Sequence, residues 1–225
     1  MMTRSFILAA VVMMSAGVAQ AETIVSWATF GQPGNQDFTP VLNEAAGVTG
    51  TNMTRGAGLT PNPGNNSFNS AGWTGEDTDY IEFGFSVDAG LFASLDSLFL
   101  GSRSSNTGPG TIGVFTSLDG FSSSIFEIQQ SGTNFTNSII DLSSLGPITG
   151  DFSLRLIQIG TTAANGGTTL AGGSFRIGDY FDGSTFTTLQ ITGEIRAIPE
   201  PSSVVLMGLG IAGLASMARL RQQNS

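Results

Sequence analysis

Three residue types are missing from this 225-residue chain: cysteine, histidine and lysine. Without cysteine there is no disulfide, no thiol nucleophile and no thiolate metal ligand. Without histidine there is no imidazole general base and no His-based triad. All eight basic residues are arginine, against 17 Asp and Glu, and charged residues make up only 11% of the chain. Between residues 22 and 198, sixteen acids face five arginines, a net charge of −11. Such a field repels a phosphate backbone, which argues against nucleic acid as a partner. What is abundant points to strands and turns. Glycine occurs 31 times and hydrophobic residues reach 40%. Phe, Ile, Val and Leu are spaced among Gly, Ser, Thr and Asn, a mixture that disfavours helix and suits pleated, half-buried surfaces.

The first 21 residues differ from the rest. Arg4 precedes an unbroken apolar run of nine residues, Phe6–Met14, and Ala19-Gln20-Ala21 closes the segment. A short basic start, an apolar middle and small residues at Ala19 and Ala21 are the parts of a secretory signal. The run is too short to cross a bilayer, which needs about 20 residues. Residues 1–21 are therefore expected to form a signal helix that engages the secretion translocon and is removed by signal peptidase before Glu22.

The last 27 residues have three parts in order. Pro199-Glu200-Pro201 is extended and stiff, because each proline fixes its own φ and disfavours helix in the residue before it. Val204–Ala218 is an uncharged run of fifteen residues, and Arg219 and Arg221 follow it. As a single transmembrane helix the run is about 22 Å long, extended at its ends by flanking Ser and snorkelling Arg. Arginines after the run favour a cytoplasmic C-terminus, which leaves the body outside. On Pro199, Glu200, Pro201, the apolar run and the basic pair Arg219 and Arg221, residues 199–225 resemble the PEP-CTERM sorting signal of Gram-negative bacteria. The resemblance implies processing by exosortase, a membrane protease-transpeptidase, after a membrane-anchored intermediate. It also implies release to the cell surface or matrix of an exopolysaccharide-producing host. Here the basic end holds two arginines and then a neutral Gln-Gln-Asn-Ser.

Residues 22–198 read as one all-β domain. Ile81, Phe83, Phe85 and Val87 alternate with Tyr80, Glu82, Gly84 and Ser86, the period-two pattern of a strand with one buried face. Phe152, Leu154 and Leu156 alternate likewise, and a shift of phase to Ile157 and Ile159 predicts a bulge or a strand buried on both faces. Leu189, Ile191, Gly193 and Ile195 predict a last strand. Shorter strands are expected over 24–30, 67–73, 94–100, 111–116, 125–129, 138–142 and 174–177. Asn-Pro-Gly-Asn, Asp-Gly and Asn-Gly-Gly turns lie between them. Residues 40–48 carry a hint of helix. Many short strands at this spacing predict a β-sandwich or jelly roll.

Candidate chemistry is sparse. Glu76, Asp77 and Asp79 fall within four residues before a strand. Carboxylates at that spacing in a loop can converge on Ca²⁺, or be merely solvated. No other cofactor is expected. Trp27, Trp73 and Tyr80 can stack on sugar rings, or fill the core. Arg103 suits a carboxylate of an acidic polysaccharide, or a neighbouring acid of the same domain. The expectation is a non-enzymatic surface or matrix protein that adheres or binds extracellular polysaccharide. The alternative is a secreted polysaccharide hydrolase working through paired carboxylates.

Overall fold

The computed structural model describes residues 22–132, 134–199 and 210–211. Eleven strands of five or more residues form its frame. They are β1 (Glu22–Trp27), β2 (Val48–Arg55), β3 (Ser67–Ala71), β4 (Tyr80–Val87), β5 (Leu91–Ser104), β6 (Thr111–Thr116), β7 (Ser124–Gln129), β8 (Thr136–Asp141), β9 (Gly150–Gln158), β10 (Ser174–Gly178) and β11 (Leu189–Ala197). Sheet I carries the order β3–β10–β5–β8, and sheet II the order β4–β9–β6–β7. All these pairings are antiparallel. From β3 to β10 the chain changes sheet at every step except the β6–β7 hairpin. Two four-stranded sheets threaded in this order make a jelly roll. β11 and then β1 extend sheet I beside the N-terminal part of β5, and β2 extends sheet II beside β4.

The alternation seen in the sequence explains which faces meet. Ile81, Phe83, Phe85 and Val87 of β4 are buried, as are Phe152, Leu154 and Leu156 of β9. They share one core with Trp27, Leu98, Leu100, Phe175, Ile177 and Ile191 of sheet I. Trp27 bridges the sheets twice. Its ring meets Phe83 edge-on at 5.2 Å, and its indole N–H donates to the Thr51 carbonyl at 2.8 Å. Trp73 meets Phe175 edge-on at 5.7 Å and donates to the Ser70 carbonyl. Both tryptophans are core residues. Arg55 is a second bridge, from β2 to sheet I. It donates to Ser70 Oγ and to the carbonyls of Gly34, Gln36 and Asn69, and lies 3.7 Å over the Phe68 ring. Burial lowers its pKa to about 10 against the raising influence of Asp37, and it stays charged at neutral pH.

Two expectations are corrected, and one strand was not expected. The phase of β9 does not shift: Gln158 takes the next buried position, Ile157 stays on the outer face, and the register with β4 and β6 is unbroken. Residues 40–48 are not helical; Asn43–Glu44 pairs with Val25 and Ser26 of β1, and a turn follows. β2 was not legible, because a bulge between Thr51 and Thr54 breaks its period and only Val48 and Met53 are buried. The expected signal helix lies outside the described residues. So does the expected membrane helix, apart from Gly210 and Ile211, which are helical. Among the described residues no helix is long and apolar enough to cross a membrane.

Candidate functional site

The outer face of sheet II is built from the polar half of the same alternation. Register places Thr54, Glu82, Arg155 and Phe115 in one row across β2, β4, β9 and β6. The next row contains Thr51, Gly84 and Ser153. A Cβ at position 84 would lie 2.2 Å from the Phe152 carbonyl oxygen, so only glycine allows this approach of β4 and β9. It also leaves the centre of the face without a side chain. A hollow of about 470 Å³ opens there, lined by Thr51, Thr54, Glu82, Ser117, Asp151 and Ser153 among others. The polar side chains lining it are hydroxyls, carboxylates and the Asn52 amide, groups that exchange hydrogen bonds with a polyhydroxylated ligand.

A second hollow of about 310 Å³ adjoins Arg155 on its other side, with Glu76, Asp77, Phe121 and Ile157 on its walls. Arg155 stands between the two. Its Nε donates to Glu82 at 2.6 Å, and its guanidinium lies 3.9 Å from the Tyr80 ring centre and 4.0 Å from that of Phe121. Phe121 has φ of +61°, after Gly120 at +69°. For a bulky residue this backbone costs roughly 1–2 kcal/mol. The loop that imposes it is tied by the Phe121 N–H to the Thr116 carbonyl, and by Asp119, which accepts from Ser122 N–H and O–H and from Ser123 N–H. Those bonds, the Ser122 hydroxyl first, hold the Asp119 pKa below its ordinary value.

The acidic trio does not converge. Asp79 is buried, and its Oδ2 accepts from Thr74 N–H and O–H and from the N–H groups of Gly75 and Glu76. It staples its own loop, while Glu76 and Asp77 point into solvent at the second hollow. Among the described residues no group of three acids is placed to hold a metal. Tyr80 is half-buried, with Arg155 over its ring. Arg103 is on the opposite sheet and, among the described residues, has no acid partner. Among the described residues the ion pairs are Arg155–Glu82 and Arg196–Glu194. The expectation that a neighbouring acid holds Arg103 is corrected by its position: it faces another arginine, Arg176. Sequence reasoning missed Glu82, Asp151, Arg155 and Phe121. The outward phase of Glu82, Asp151 and Arg155 was readable, but the register that brings them together was not, and Phe121 is in a loop that has no phase to read.

Pro199 is exposed just beyond β11, and Ile198 donates the last backbone bond of the body, to the Gly90 carbonyl. Of the sorting residues, Glu200, Pro201, Arg219 and Arg221 lie outside the described residues, as do Ala19 and Ala21. Residues 197–222 match the PEP-CTERM protein-sorting motif. The chain carries a PEP-CTERM sorting signal. The motif implies an exported protein that exosortase processes and that reaches the cell surface or the extracellular space. Compared with curated proteins and with solved structures, the chain matches none.

Proposed function

We propose that this PEP-CTERM protein delivers a non-enzymatic β-domain to the cell surface or matrix, where the outer face of sheet II binds extracellular polysaccharide. Delivery runs through cleavage before Glu22, an intermediate held in the inner membrane by Val204–Ala218, and exosortase cleavage near Pro199-Glu200-Pro201. The observation that supports binding is the hollow between Thr51, Glu82, Asp151 and Ser153, flanked by a held Arg–aromatic stack. Its hydroxyls and carboxylates suit sugar hydroxyls, and Phe121 is kept in a strained backbone beside them. Calcium is not part of this reading, since the Asp79 carboxylate is taken up by its own loop.

Glu82 and Asp151 line the same hollow, which is what favours the hydrolase alternative. Against it, Glu82 is engaged by Arg155 and is poorly placed to donate a proton to a leaving group. A glycan array probed with the protein, alongside a reducing-sugar assay on the glycans it retains, separates the two. Retention without sugar release, weakened by Asp151→Asn and Glu82→Gln, is expected. Sugar release lost in either variant would establish the hydrolase, and no retention of any glycan would remove both readings.

A further inference from the structure

The domain has five arginines, and three are accounted for. Arg155 and Arg196 pair with Glu82 and Glu194, and Arg55 donates to four oxygens. For the other two, Arg103 and Arg176, the described residues supply no hydrogen bond and no ion pair. They are direct cross-strand neighbours on β5 and β10. Both are only partly exposed, and Arg103 Nε is buried without a hydrogen-bond partner.

Like charges directly opposite on a sheet destabilise it. A desolvated guanidinium N–H without an acceptor adds a further cost. Both penalties stand in a domain with sixteen carboxylates to choose from, yet none pairs with either arginine. The surroundings hold the pair in place. Asn69 of β3 is opposite Arg176 on its other side, and the Arg176 guanidinium lies over the Phe135 ring at 5.1 Å. Burial first, and then the charge of Arg103, lower the pKa of Arg176. An oxyanion bridging the two guanidiniums removes the repulsion and supplies the missing acceptor, because planar forks match carboxylate and sulfate oxygens.

We infer that Arg103 and Arg176, on the outer face of sheet I, form a binding site for an oxyanion, the carboxylate or sulfate of an acidic glycan or a small free anion. This site is independent of the sheet II surface and does not depend on its reading.

The test uses the full-length protein in detergent, in buffer free of sulfate and phosphate. Calorimetric titrations are run with sodium sulfate, with polygalacturonate and with its fully methyl-esterified counterpart, which keeps the rings but loses the charge. Polygalacturonate is expected to bind and the ester to bind far less, with affinity falling as NaCl is added. Arg103→Gln and Arg176→Gln each weaken binding by about tenfold or more. Each variant also melts at or above the wild-type temperature without ligand, because the repulsion is gone. Sulfate binding lost in the variants, with no binding of polygalacturonate, supports the small-anion form of the site. Equal binding of acid and ester, unchanged in both variants, overturns it and assigns the glycan to another surface. No binding of sulfate or polygalacturonate to the wild type also overturns it.

Discussion

The two outer faces of the jelly roll treat their arginines in opposite ways. On sheet II, Arg155 has a carboxylate on its Nε and an aromatic ring on each side. On sheet I, Arg103 and Arg176 face each other with no acid between them. A guanidinium paired with a carboxylate and stacked on two rings of its own domain belongs to the scaffold and shapes the hollows beside it. Two guanidiniums without an acceptor among the described residues are incomplete, and the group that completes them is an external oxyanion. The contrast has consequences for stability, since removing the first kind costs the fold and removing the second relieves it.

The largest expected effect breaks both faces together. Trp27→Ala removes the ring that fills the space between the sheets and the N–H that satisfies the Thr51 carbonyl. A loss of about 3–5 kcal/mol in denaturant unfolding is expected. Next comes the sign test on the arginines. Arg155→Gln loses a partly exposed ion pair and two ring contacts, about 2 kcal/mol together. Arg176→Gln gains up to about 1 kcal/mol. Equal losses in the two would erase the distinction between the faces.

A smaller and more specific effect is expected at Phe121. Phe121→Gly relieves the positive φ but loses one stack on Arg155. The two terms nearly cancel, leaving stability within about 1 kcal/mol of wild type. Glycan retention by sheet II is nonetheless expected to fall. A clear gain in stability with retention unchanged would make the strain an accident of the loop.

The smallest effect is in acid. The carboxylates of Asp119 and Asp182 sit below their ordinary pKa because loop N–H and O–H groups donate to them, Ser122 O–H foremost at Asp119 and Thr185 N–H foremost at Asp182. A depressed folded pKa stabilises above the unfolded value of about 3.9, and that contribution is lost as pH falls through the folded value. Both groups are fully exposed, so the change is local. Amide resonances of Ser122, Ser123, Ser184 and Thr185 are expected to move below about pH 4, while those of β3, a strand without a carboxylate, stay in place.

Much of the fold was legible because a strand with one wet face writes its period into the sequence. β4 and β11 show it plainly, and β6 matched residue for residue. β2 was hidden because its bulge and its Gly50, Thr51 and Asn52 leave no alternation to see. The site was less legible for a different reason. Glu82 and Arg155 are 73 positions apart, and only sheet register makes them partners. The acidic run 76–79 was visible but misleading, since Asp79 turns inward to tie its loop. The sorting tail was legible in full because its parts are contiguous. Translocation and sorting machinery reads a linear segment, whereas a binding face is assembled from strands far apart in the chain.

Both faces meet extracellular ligands only if the body leaves the cell. The intact mass of the protein recovered from the surface and medium of producing cells tests this most directly. Export and sorting predict a chain that starts at Glu22 and ends near Pro199-Glu200-Pro201. A full-length chain found in the cytosol, with Met1 and Ser225 both retained, would contradict it.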